Sequence, residues 1–133
     1  MTQVRELGFD ECERMLSAGV VGRIALTTPD GPHIVPLNYT LVGDAIVVAT
    51  SPYSALGTYG PDALVAFEVD EFDMGARTGW SVVVRGRAAM VADPADVQSF
   101  KRAGIVHPWA DGSRNLFLRI PRTEVSGRRL ASS

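Results

Sequence analysis

Between residues 21 and 50 the chain reads "VGRIALTTPDGPHIVPLNYTLVGDAIVVAT", three short apolar-alternating runs cut by tight-turn signals. "VGRIALTT" (21–28) ends at "PDG" (29–31), "HIVPLNYTLV" (33–42) follows, and "GD" (43–44) turns the chain into "AIVVAT" (45–50). Period-two alternation bounded by Gly, Pro and Asp is the pattern of half-buried strands joined by hairpins. It commits this stretch of the chain to an antiparallel meander. Pro36 lies inside the second run and cannot donate to a ladder, so it marks an edge or a bulge.

The rest of the chain extends the pattern. "DECERMLSA" (10–18) reads as a helix, with Asp10 as N-cap, Glu13 three residues on and Gly19 as its stop. Residues 53–59 form a short helix, "ALVAFEVDEF" (63–72) a fourth strand, and "GWSVVVRGRAAMVA" (79–92) a long fifth one bent at Gly86. "DPADVQSFKRAG" (93–104) is a helix capped by Asp93, with Pro94 in its first turn, so its body runs over about 94–104. "NLFLRIPRTEVSGRRL" (115–130) is a final strand or bent pair, and the tail 131–133 frays. The runs "AIVVAT" and "WSVVVRG" are apolar at consecutive positions. They suit strands covered on both sides, by the interior on one and by a helix or a second subunit on the other. Six or so strands with sparse helices make a mainly β single domain over 1–133, either a closed β-barrel or a β-sandwich.

Composition narrows the function. The 133 residues suit one domain, able to bury roughly two-thirds of its unfolded surface. A net charge of −2 argues against a broad nucleic-acid face. No apolar run is long enough for a membrane helix, and charges interrupt the N-terminus where a signal peptide would be apolar. The expectation is a cytoplasmic protein with no nucleic-acid or membrane partner. Cys12 is the sole cysteine, which excludes an internal disulfide and a cysteine-based zinc site. His33 and His107 have no metal-ligand spacing and no partnered nucleophile. Lys101 is the sole lysine among 13 basic residues, so a side chain binding an anion would almost always be Arg. Glu68 and Asp70 share one strand face; solvent exposure is a simpler account of them than acid–base work. Arg85 and Arg87 alternate on one face of the fifth strand.

The stretches "VGRIALTTPDGPHIVPLNYTLVGDAIVVATS", "VAFEVDEFD", "TGWSVVVRGRA" and "LRIPRTEVSGRRL", in that order, resemble the pyridoxamine 5′-phosphate oxidase-like family of FMN-binding split β-barrels, and among them the small actinobacterial-type members. The likeness covers roughly residues 10–130. It implies a homodimer with FMN at the subunit interface and oxidoreductase chemistry on an unidentified small molecule, with no dedicated catalytic side chain. In that reading the backbone near Pro36, Leu37, Asn38 and Tyr39 lines the flavin ring. Thr50, Ser51 and Ser54 meet the phosphate beside Leu56, Trp80 and Ser81 lie near the ring, and Trp109 and Arg128 (or Arg129) reach in from the partner subunit. Plain aromatic filling of an interface is the simpler account of Trp80, while Trp109, in a loop, stays open to a ligand contact.

One departure stands out. Many family members carry a basic residue before the short helix that pairs with the phosphate, and here Ala55 occupies that place. A charge-assisted hydrogen bond is worth about 1.5–3 kcal/mol, so its absence weakens affinity roughly 10- to 100-fold. Hydroxyls, helix N–H groups, or Arg23, Arg85 or Arg87 could compensate. Two alternatives therefore stand beside the flavin oxidoreductase: a binding or sensing dimer that kept the fold and lost the cofactor, and a deazaflavin-dependent reductase. The deazaflavin's longer anionic tail would want a basic groove.

Overall fold

The computed structural model describes residues 2–104 and 116–132. Ten strands and three helices follow in the order β1 (Thr2–Glu6), α1 (Phe9–Ala18), β2 (Val21–Thr28), β3 (Gly31–Asn38), β4 (Thr40–Val42), β5 (Ala45–Thr50), α2 (Ala55–Tyr59), β6 (Leu64–Asp73), β7 (Thr78–Arg87), β8 (Ala89–Met90), α3 (Pro94–Arg102), β9 (Leu116–Pro121) and β10 (Glu124–Ser132). They form two antiparallel sheets, one of six strands in the order β1-β10-β7-β6-β2-β3 and one of four in the order β4-β5-β9-β8. The alternation read from the sequence holds along β2, where Gly22, Ile24, Leu26 and Thr28 are buried and the residues between them are not.

Two expected single strands, and the final run expected as a strand or a bent pair, are each split between the sheets. The run 33–42 leaves the large sheet at Tyr39, the run 79–92 at Ala88, and the run 115–130 returns to it after Pro121. Both pairings of the expected meander are present, but they fall in different sheets. β2 pairs with β3, but β5 pairs with β4 and β9 across the barrel. Gly86, expected to bend the fifth strand, pairs in regular register with Val65, and the break comes two residues later. The turns are where the sequence put them: Gly31 (φ 115°) and Gly43 (φ 61°) adopt left-handed backbone that a side chain resists. Pro36 stands on the edge strand of the large sheet, opposite Arg23, where its missing N–H breaks no ladder.

Two of the three corners are pinned by side-chain contacts. At the first, the Tyr39 hydroxyl donates to the Leu16 carbonyl at 2.5 Å and its ring meets Phe67 edge-on at 4.7 Å. Burial pushes that phenol up to about 12. Gly19 and Gly22 make room here: a Cβ on Gly22 would lie 2.3 Å from the Phe67 ring. At the third, the Arg122 guanidinium, 10% exposed, pairs with Glu13 of α1 and donates to the Gly43 carbonyl at 2.6 Å.

The barrel interior joins Ile24, Phe67, Val82, Val84 and Leu118 among others, and α1 closes one end with Cys12 and Leu16. Helix α1 starts at Phe9, and its cap lies two residues before the expected Asp10, at Gly8; Glu11, not Glu13, reaches back to the Gly8 N–H at 3.3 Å. A second cluster lies on the other side of the small sheet, where Val47 and Ala49 of β5 meet Phe100 of α3 and Phe117. This explains why all six residues of β5 are buried. Helix α3 ends two residues before the expected 104, and its Asp93 carboxylate accepts from the Ala95 N–H at 2.9 Å. The sequence reading missed β1 altogether. It pairs with the C-terminal strand from Thr2↔Ser132 to Glu6↔Arg128, so the tail expected to fray is laddered as far as Ser132.

Candidate functional site

The residues expected around a cofactor fall into three groups. The first is the edge strand. Pro36 is exposed and Leu37 and Asn38 are half-buried on β3, which has β2 on one side and no described strand on the other. An edge strand offers N–H and C=O groups at fixed spacing to a flat, hydrogen-bonding ring. Tyr39 contributes differently from expectation. Its side chain is in the core and its N–H is spent on the Val20 carbonyl at 3.0 Å. Beside this corner, at the end of α1, lies a 480 Å³ hollow lined by Leu16, Gly19, Val20, Thr40 and Leu41.

The second group is the loop from β5 into α2. Ser54 caps α2, its hydroxyl accepting from the Gly57 N–H at 3.0 Å and donating to the Ser51 carbonyl at 2.7 Å. Thr50 lies 2.7 Å from the same hydroxyl. Since the Ser54 proton goes to Ser51, Thr50 is the donor in that contact, and both protons are consumed inside the loop. Ser51 differs. Its hydroxyl accepts from the Tyr53 N–H at 3.2 Å, which leaves its own proton for a ligand. Gly57 permits the arrangement, because a Cβ there would stand 2.1 Å from the Ser51 carbonyl oxygen. The expected trio of phosphate-binding hydroxyls is thus reduced to one. Leu56 is 1% exposed and belongs to the core, so it cannot touch a ligand with its side chain. Ala55 opens the helix and brings no charge.

The third group is on β7 and β10. Trp80 and Ser81 are neighbours in sequence but project from opposite faces of the strand. Trp80 packs against the barrel core, while Ser81 looks outward between Asp70 and Arg128. Arg128 is exposed on that outer face, and Arg129 pairs across from Trp80. Trp109 lies outside the described residues.

The three compensating arginines are accounted for. Arg87 donates to the Asp62 carbonyl. Arg85 is exposed on the outer face. Arg23 spans Glu68 at 3.2 Å and Asp70 at 3.3 Å. Glu68 and Asp70 are therefore half-buried members of a charged cluster, not the solvated pair the alternation suggested. Burial, and then the adjoining Asp70 carboxylate, push the Glu68 carboxyl up to about 7, against the opposing pull of Arg23. The alternation put Glu68 and Asp70 on one face, but only the register Arg23↔Glu68 brings the guanidinium to them.

Among the described residues, then, the edge of β3 brings backbone groups and the loop 50–57 brings the Ser51 hydroxyl and no cationic side chain. Two antiparallel sheets exchanging strands at three corners define a split β-barrel. The sequence model of the pyridoxamine 5′-phosphate oxidase family matches residues 9–129, and the chain belongs to that family. An uncharacterised protein of Mycobacterium tuberculosis is 34% identical, aligned over 98% of this chain and 88% of its own length. Among solved structures, the FAD-binding protein from Mycobacterium smegmatis superposes with a TM-score of 0.73 at 28% identity, over 96% of this chain and 98% of that one. An FAD-binding protein from Mesorhizobium loti does so with a TM-score of 0.75 at 29% identity, over 99% and 100%. No helix among the described residues is long and apolar enough to cross a membrane.

Proposed function

We propose that the chain is a flavin-binding oxidoreductase, working as a cytoplasmic homodimer on a small molecule, with the cofactor held at the subunit interface. The observation that carries this is its likeness, over nearly the whole length of both chains, to FAD-binding proteins of the same fold. The backbone of Pro36, Leu37 and Asn38 would hold the ring edge. Ser51 would donate to the phosphate, and Ser81 and Arg128 would face the seam. Thr50 and Ser54 act by fixing the loop. A bound flavin supplies hydride and electron transfer, and the protein supplies position and electrostatics. FMN is the form the sequence resemblance implies, and FAD the form the structural relatives hold; ring and first phosphate are common to both.

A second reading, a dimer that kept the barrel and lost the cofactor, is favoured by one observation: the loop carries Ala55 and has spent two of its three hydroxyl protons. Purification decides between them. A yellow protein whose heat-released chromophore runs as FMN or FAD supports the first reading, and a deazaflavin spectrum would replace the cofactor within it. A colourless protein that leaves the fluorescence of added FMN and FAD unchanged at high concentration supports the second.

A further inference from the structure

Two strands of this barrel are apolar at consecutive positions, and the fold treats them differently. β5 is covered twice, with Ile46 and Val48 in the barrel and Val47 and Ala49 in the cluster with Phe100 of α3. β7 buries Val82 and Val84 inward, but Val83 between them points to the outer face of the large sheet, where no described element covers it. Beside it lies a 360 Å³ hollow, with Ala25, Ala66 and Gly86 at its floor and Pro32 and Leu64 at its side. Ile34 and Leu64, 70% and 69% exposed, stand around this hollow, and the open edge of β3 bounds the face. The charges nearby are mixed, with Arg23, Arg85 and Arg128 against Glu68, Asp70 and Glu124. An apolar centre with a ring of both signs is complementary to a two-fold copy of itself. Cross-strand register puts Pro36, Arg23, Glu68 and Val83 in one row, so the Arg23–Glu68–Asp70 cluster adjoins the apolar centre.

We infer that this outer face is the seam with a second copy of the chain, and that the Arg23–Glu68–Asp70 cluster makes the joining proton-linked, with Glu68 taking up the proton. The inference rests on the homodimer reading above and adds to it a location and a pH dependence. The groups facing Glu68 are Arg23 from β2, Asp70 on its own strand, and Arg85 on β7, with Arg128 of β10 one strand further out. With both carboxylates ionised the cluster carries one net negative charge. Protonating Glu68 leaves a neutral Arg23–Asp70 pair, which costs less to take out of water. Burial is already the largest influence holding the Glu68 carboxyl up at about 7. A seam that removes more water raises it further, so the dimer binds more protons than two monomers do. Association then strengthens as pH falls through the window from about 8 to 6.

Fluorescence-detected sedimentation of the full chain at pH 6, 7 and 8, down to nanomolar concentration, tests this with three variants. The wild-type dimer dissociation constant is expected to fall roughly tenfold or more from pH 8 to pH 6. Glu68→Gln should be flat with pH, and as tight at pH 8 as the wild type at pH 6. His33→Gln, on the neighbouring strand β3 and outside the cluster, should keep the wild-type slope. Ala66→Arg, on the outer surface, should be a folded monomer by circular dichroism. A dimer indifferent to pH, a Glu68→Gln protein that keeps the wild-type slope, or an Ala66→Arg protein that still dimerises overturns the inference and leaves the homodimer standing. A wild type monomeric under all conditions removes the homodimer reading itself.

Discussion

Ser54 shows how a side chain can be of the right type and already committed. Three hydroxyls at 50, 51 and 54 are visible in the sequence, but which of their protons remain for a ligand depends on a loop that folds back onto itself at Gly57. Tyr39 and Leu56 were readable as neighbours of the slot, and the fold turns both inward. Alternation cannot foresee this at Tyr39, because the chain changes sheets there and the inside of one becomes a corner of the other. The phosphate end is correctable by a single residue. Ala55→Lys should tighten FMN binding roughly 10- to 100-fold in a fluorescence-quenching titration, the range a charge-assisted hydrogen bond supplies. No change would put the phosphate elsewhere. Ser54→Ala should cost about 1 kcal/mol of stability in urea unfolding even without cofactor, because it uncaps α2.

At the scale of elements, the positions of strands and helices were legible and their connections were not. Turn residues at Gly31 and Gly43 announced themselves, while the corners at Tyr39 and Ala88 carry no Gly or Pro of their own, and only the third follows a proline, Pro121. β1 escaped notice because "TQVRE" has one apolar residue and earns its place only by pairing with β10. The apolar run of β5 did foretell a cover on its second side, and the cover is α3. Phe100 stacks edge-on against Phe117 at 5.5 Å and holds that helix to the sheet. Phe100→Ala should therefore lower stability by about 3–5 kcal/mol, read from the urea midpoint.

For the molecule as a whole, hydrophobic period and turn spacing made the mainly β class legible but left barrel and sandwich open, and the split barrel came from the family resemblance. The charged cluster was not legible, because it needs Arg23 and Glu68, 45 positions apart, in one ladder. Its effect on stability has a definite sign. The Glu68 carboxyl, ordinarily at 4.5, stands at about 7 in the folded chain, so the native state keeps a proton that the unfolded state has lost. Stability must then decline as pH rises between those two values. Glu68→Gln should abolish much of that decline and be more stable than the wild type by about 1 kcal/mol at pH 8, allowing for solvent screening. Unfolding curves at pH 4.5 and 8 measure the difference. An unchanged gap between the two proteins at both pH values would mean that the carboxyl titrates normally.

Cys12 has a practical consequence. Its sulfur sits under α1, within 2.7 Å of where a Cβ on Gly127 would be, and burial raises its thiol above the usual range. A thiol-specific dye can reach it only when the helix lifts from the barrel end. Because the chain has one such sulfur, the labelling rate is a clock for that single opening event. Leu16→Ala, which loosens the same helix, should make the clock run faster by an order of magnitude or more.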